Sequence, residues 1–192
     1  NKTLQAGAVT EEQYNAYVAL YLQFQQMERT GIAQSLSEEY YYYIRNLWWS
    51  NPCAAYDSSQ KMVVPMAKGS GDHFLWQIVK RPGGSVYLIN KGTGTAAYPA
   101  TQGGDQTIKL GEEYAWTLEE RTLDGKTGIC IINSNGSNAW YTNPSSWNYI
   151  LLKPFWGACT WELLQTDVKV TTNIASVHDN YAEGALYDLQ GR

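Results

Sequence analysis

One apolar phrase ending in asparagine occurs three times along the chain, and it constrains the fold more than any other feature. It reads Tyr42-Tyr43-Ile44-Arg45-Asn46, then Val86-Tyr87-Leu88-Ile89-Asn90, then Ile129-Cys130-Ile131-Ile132-Asn133. A small or aromatic pair follows each copy, at Ala55-Tyr56, Ala97-Tyr98 and Ala139-Trp140, and a tryptophan closes each, at Trp76, Trp116 and Trp161. The asparagines stand 44 and 43 residues apart, the tryptophans 40 and 45. Three markers that keep their order and nearly their period define an internal threefold repeat. Such copies stack because one alone cannot bury its apolar face.

Side chains two apart in a strand share a face. Tyr42, Ile44 and Asn46 therefore point together, as do Val86, Leu88 and Asn90, and Ile129, Ile131 and Asn133. That common face is the expected core. In the third copy, the turn residues Ser134 to Ser137, Asn143 to Ser146 and Pro154 to Gly157 separate four short strands, near 128–133, 138–142, 149–153 and 160–165. Twelve such strands over residues 40–165 predict a closed all-β architecture. A propeller needs at least four blades, so three copies argue against one.

Before the repeats, Thr10-Glu11-Glu12-Gln13 forms a capping box, and Tyr14, Tyr17, Val18, Tyr21 and Phe24 recur at helical spacing. This predicts an amphipathic helix over 11–30 within an extension, residues 1–39, whose stripe packs on the repeat domain. After residue 165 the pattern changes, and 166–192 read as a strand and the start of a further β-module.

The net charge of −4 gives no basic face for nucleic acid. No apolar run is long enough to insert in a membrane as a helix. Two histidines, no phosphate loop, no nucleophile elbow and no metal-ligand spacing predict a non-catalytic protein without cofactor or metal. Glu119 and Glu120 are adjacent in a strand and so face opposite ways. Cys130 lies in an apolar run and reads as a buried thiol. Cys53 and Cys159 fall in the first and third copies, which a closed ring makes neighbours, so a disulfide between them is open.

Three four-stranded copies of about 43 residues resemble a β-trefoil, and the recurrent asparagine and tryptophan are similar to those of ricin-type lectins. The Gln-x-Trp signature of that family is absent, with Phe74, Tyr114 and Cys159 two residues before the tryptophans. The resemblance implies carbohydrate binding and a saccharide or glycan partner. Two alternatives stay open: a structural or adhesion module that contacts proteins, and a protease inhibitor using Lys80-Arg81-Pro82-Gly83-Gly84. The terminal Leu186-Tyr187-Asp188-Leu189-Gln190-Gly191-Arg192 is similar to a segment near the ends of secreted and surface proteins of Gram-negative anaerobes. It implies an exported protein, extracellular, cell-surface or periplasmic, attached to further domains.

Sugars are held by laying an apolar ring face on an aromatic side chain and bonding the hydroxyls with amide or carboxylate groups. The third copy offers Asn138, Trp140, Tyr141, Asn143 and Trp147 within ten residues. Tyr98 with Asp105 forms a weaker counterpart in the second copy, and Tyr56 with Asp57 in the first. Asn143 and Trp147 have no counterparts, so fold symmetry does not account for them.

Overall fold

A computed structural model describes residues 14–18, 32–143, 145 and 148–171. A single helical turn, α1 (Ile32–Ser35), precedes twelve strands. In the first copy these are β1 (Tyr40–Asn46), β2 (Cys53–Asp57), β3 (Met62–Met66) and β4 (Trp76–Lys80). The second holds β5 (Val86–Asn90), β6 (Thr95–Gln102), β7 (Asp105–Leu110) and β8 (Thr117–Leu123). The third holds β9 (Lys126–Ile132), β10 (Ala139–Tyr141), β11 (Leu151–Lys153) and β12 (Trp161–Lys169).

The first and last strands of each copy close a six-stranded barrel. β1 pairs with β4, β4 with β5, β8 with β9, β9 with β12 and β12 with β1. A bridge between Val86 and Trp116 joins β5 to β8 and completes the ring. The middle strands form hairpins β2–β3, β6–β7 and β10–β11. The Ile150 amide donates to the Val63 carbonyl at 3.0 Å and the Ile108 amide to the Ile150 carbonyl at 3.2 Å, so the hairpins cap one end together. This is an all-β β-trefoil.

The three closing tryptophans are fully buried, and each donates its indole N–H to a hairpin carbonyl. Trp76 reaches Ala54 at 2.9 Å, Trp116 reaches Ala97 at 2.9 Å and Trp161 reaches Trp140 at 2.8 Å. Ala54, Ala97 and Trp140 are therefore equivalent, which shifts the first-copy pair from Ala55-Tyr56 to Ala54-Ala55 and the third-copy pair from Ala139-Trp140 to Trp140-Tyr141. A threefold axis has room for one large side chain only. Trp140 takes it, meeting Trp76, Trp116 and Trp161 edge-on with centroids 5.9, 5.5 and 6.3 Å away. Such T-shaped contacts suit the ring quadrupoles.

Each repeated asparagine is buried and its Oδ1 braces the turn that follows. Asn46 donates through Nδ2 to the carbonyls of Ala158 and Thr160, and its Oδ1 accepts from the Trp48 amide. Asn90 does the same with His73, Leu75 and Gly92. Asn133 Oδ1 accepts from the Asn138 amide at 3.0 Å. Asn46 and Asn90 thus tie the loop ahead of one copy's tryptophan to the turn after the next copy's first strand, while Asn133 braces its own turn.

Alternation is clean in β1 and β5 but not in β9, where Cys130, Ile131 and Ile132 are all buried. The outer face of β9 is covered by a second cluster containing Cys159, Tyr141 and Leu151. The Cys53–Cys159 disulfide does not form: all three cysteines are free thiols, and Cys53 packs elsewhere with Ala55 and Phe74. Closure brings the copies together, but these two residues lie in different clusters.

Residues 14–18 are helical, within the expected helix, but Tyr14 and Tyr17 are 60% and 66% exposed, so these two positions of the stripe are not buried. Nearer the barrel, Ala33 joins the main core and the Ser37 amide donates to the Tyr42 hydroxyl at 2.7 Å. β12 continues past residue 165 to Lys169, which pairs with Tyr40. The segment resembling those of exported proteins lies outside the described residues.

Candidate functional site

Hairpin register identifies equivalent surface positions in the copies. Ala54 pairs with Pro65 and Trp140 with Leu152, which makes Met66 and Lys153 counterparts at the ends of their strands. The loop that follows leads to the closing tryptophan and contains a short 3₁₀ turn, Asp72–Phe74 in the first copy and Gly157–Cys159 in the third. A cleft opens between hairpin and loop in both copies.

In the third copy, Tyr141, Lys153, Pro154 and Trp156 line a groove of about 250 Å³. Tyr141 is 7% exposed, while Trp156 is 62% exposed and stands edge-on to it, with centroids 6.4 Å apart. Lys153 Nζ holds Asp105 Oδ1 at 2.8 Å beside the aromatic pair. This ion pair links the end of β11 to the start of β7, joining two copies.

The loop carrying Trp156 is held from behind. The Cys159 amide donates to the Trp156 carbonyl at 2.8 Å, and the Gly157 amide to Asp124 Oδ2 at 2.7 Å. A Cβ on Gly157 would lie 2.3 Å from the Trp48 ring, so only glycine lets the loop rest on that indole. Lys126 Nζ sits 4.8 Å from the centre of the Trp48 ring. Trp48 opens a turn in which Trp49, Ser50 and Asn51 have φ of 52°, 67° and 57°. A run of left-handed residues without glycine stores strain, which surrounding packing must hold in place.

The expected site residues divide. Tyr141 lines the groove, and Asp105 joins it through Lys153. Trp140 is not a ligand contact: it is fully buried on the axis, its ring packed among Trp76, Trp116 and Trp161. Asn138 is a turn residue whose backbone N–H and carbonyl both bond Asn133. Asn143 Oδ1 accepts from the Ser145 amide at 3.2 Å, shaping its loop. Tyr98 is half-buried opposite Lys109 in the second copy, away from the groove. Trp147 lies outside the described residues.

Sequence reasoning missed Trp156. It stands five residues before its closing tryptophan, where the other copies have Gly71 and Gly111. A tryptophan in place of a glycine is a departure from the repeat, and that signal was present. The Lys80–Gly84 segment is no extended reactive loop: the Arg81 amide bonds the Ser85 carbonyl and the Gly84 amide bonds the Arg81 carbonyl, closing a tight turn.

In the first copy the corresponding cleft is larger, about 610 Å³, and contains Tyr56, Asp57, Met66, Asp72 and His73. Among the described residues no group of three or more His, Cys, Asp or Glu side chains is placed to hold a metal ion.

The fold is shared with solved proteins. The ricin B-like lectin of Macrolepiota procera, solved in complex with lactose, superposes with a TM-score of 0.55 at 12% identity, over 68% of this chain and 99% of the lectin. The Rhizoctonia solani agglutinin gives 0.56 at 12% identity, over 68% of this chain and 98% of its own. The designed threefold-symmetric protein ThreeFoil gives 0.50 at 16% identity, over 66% and 99%. No protein-family model matches the chain, and no curated protein matches it in sequence. These likenesses establish the β-trefoil fold.

Proposed function

We propose that this chain is a carbohydrate-binding β-trefoil module and that a saccharide lies in the third-copy groove, stacked on Trp156. The observation that carries this reading is the exposed Trp156 ring, held edge-on to Tyr141 at 6.4 Å above an apolar groove. The C–H face of a pyranose matches such a ring. Lys153 has the chemistry to donate to sugar hydroxyls and Asp105 beside it to accept from them, and their mutual pairing leaves the rim near neutral. An uncharged sugar fits that rim best. That a β-trefoil lectin was solved with lactose supports the class of ligand.

The role is binding rather than catalysis, and the protein is exported, on the resemblance of its final segment to those of secreted and surface proteins. Fractionation of the source cells tests the export. For the site, a glycan array followed by calorimetry compares the protein with Trp156→Ala and Asp105→Asn. Loss of the array hits in Trp156→Ala supports the reading; hits that survive it place the sugar elsewhere.

A further inference from the structure

The first-copy cleft occupies the same position in the repeat as the third-copy groove but has a different chemistry. Tyr56 and Met66 supply its apolar wall, and Met66 is 39% exposed. The opposite wall is the 3₁₀ turn at Asp72 and His73, fixed by the bond from Asn90 Nδ2 to the His73 carbonyl at 2.9 Å. Gly92 keeps the neighbouring turn close to this wall, since a Cβ there would meet the His73 backbone at 3.2 Å. Gly71 likewise makes room for the His73 ring, which lies 2.5 Å from where a Cβ would be.

Two carboxylates face this space, and among the described residues only Asp72 has an ammonium partner. Lys91 Nζ holds Asp72 Oδ1 at 2.6 Å. Asp57 takes its bonds from neutral donors: the Ser59 amide and hydroxyl and the Gln60 amide at Oδ1, and Gln60 Nε2 at Oδ2. Those donors stabilise the ionised carboxylate without cancelling its charge. The cleft thus joins an uncompensated negative charge to an aromatic ring, and each attracts a cation. The third-copy rim, with its internal ion pair, has no such excess.

We propose that this cleft is a second binding site and that it takes an amino sugar, its ammonium group directed at Asp57 and Asp72 and its ring against Tyr56. The proposal rests on the carbohydrate-binding reading, yet it uses a separate cleft and a separate ligand charge.

The test is calorimetric titration of glucosamine, N-acetylglucosamine and glucose at pH 6 into the Trp156→Ala protein, which keeps the first-copy cleft and removes the other ring. Glucosamine is expected to bind Trp156→Ala as it binds the unaltered protein, and at least about tenfold more tightly than its uncharged analogues. Adding Asp57→Asn or Asp72→Asn is expected to weaken glucosamine roughly tenfold. Asp57→Asn retains the Oδ1 acceptor of the turn, and a thermal melt confirms that each variant is folded. Equal binding of the three sugars, indifference to both substitutions, or no glucosamine binding at all would overturn the proposal. Failure of the third-copy reading is distinct: it would appear as array binding that does not depend on Trp156.

Discussion

Trp161 donates its indole N–H to the carbonyl of Trp140 at 2.8 Å, and the rings of the same two residues meet edge-on at 6.3 Å. One of these contacts repeats around the barrel and the other does not. The hydrogen bond has counterparts at Trp76 and Trp116, so it belongs to the threefold plan. The ring contact exists because a single copy places tryptophan where the other two have Ala54 and Ala97.

Truncation of Trp161 to alanine removes a fully buried indole and leaves the Trp140 carbonyl without its donor. The expected loss is about 3–5 kcal/mol, a large share of a domain's stability. Trp140→Ala should cost a similar amount by opening a void on the axis, although its own Nε1 has no hydrogen-bond partner among the described residues. Chemical denaturation measures both. An unchanged midpoint for either variant contradicts its core position.

Gly157→Ala separates fold from site. The added methyl meets the Trp48 ring and the Asp124 carboxylate at 2.3 and 2.9 Å, so the loop must move and carry Trp156 with it. Saccharide binding is expected to weaken roughly tenfold, with a stability loss of about 1–3 kcal/mol for an overpacked contact. Calorimetry paired with denaturation checks this. Unaltered affinity would show that the support does not position Trp156.

How much of this was legible in the sequence follows from what the repeat can encode. The asparagines and tryptophans recur because each copy needs the same buried turn brace and the same core ring, so the fold was readable from their spacing. Asymmetry was harder to see. Trp140 read as a ring open to a ligand while it was matched with Tyr56 and Tyr98, but the fold matches it with Ala54 and Ala97, and a symmetry axis demands such a singular residue. Trp156 differed from Gly71 and Gly111 in the same way and is exposed, in a stretch that read as turn punctuation. Departure from the repeat marks both the axis and the site. Only burial tells them apart.

The cysteines set the alkaline behaviour. Burial pushes the Cys159 thiol up to about 12 and the Cys130 thiol up to about 11. Both stay protonated in the fold, whereas the unfolded chain ionises near 9. Their contribution to stability is therefore complete below pH 9 and is lost as pH rises toward 11–12. A thiol-reactive probe at pH 8 should count none rapidly in the native protein and three after denaturation. A native disulfide would lower the second count.

At the acid end, the donors from Ser59 and Gln60 hold Asp57 down at about 2, from an ordinary 3.8. A depressed carboxylate contributes stability above its unfolded value and loses it as pH falls through the folded one, here between about 4 and 2. The group is solvent-exposed, so the effect on stability is small. Carboxyl NMR titration should find its midpoint well below those of ordinary aspartates, and Ser59→Ala should raise it.

Whether the exposed Trp156 ring holds a sugar is decided most directly by calorimetric titration of an array-selected oligosaccharide into the protein and into Trp156→Ala. Saturable binding to the unaltered protein is expected, with at least a tenfold loss, about 1.4 kcal/mol, when the ring is removed. Equal affinity for the two proteins, both folded by thermal melt, would contradict it.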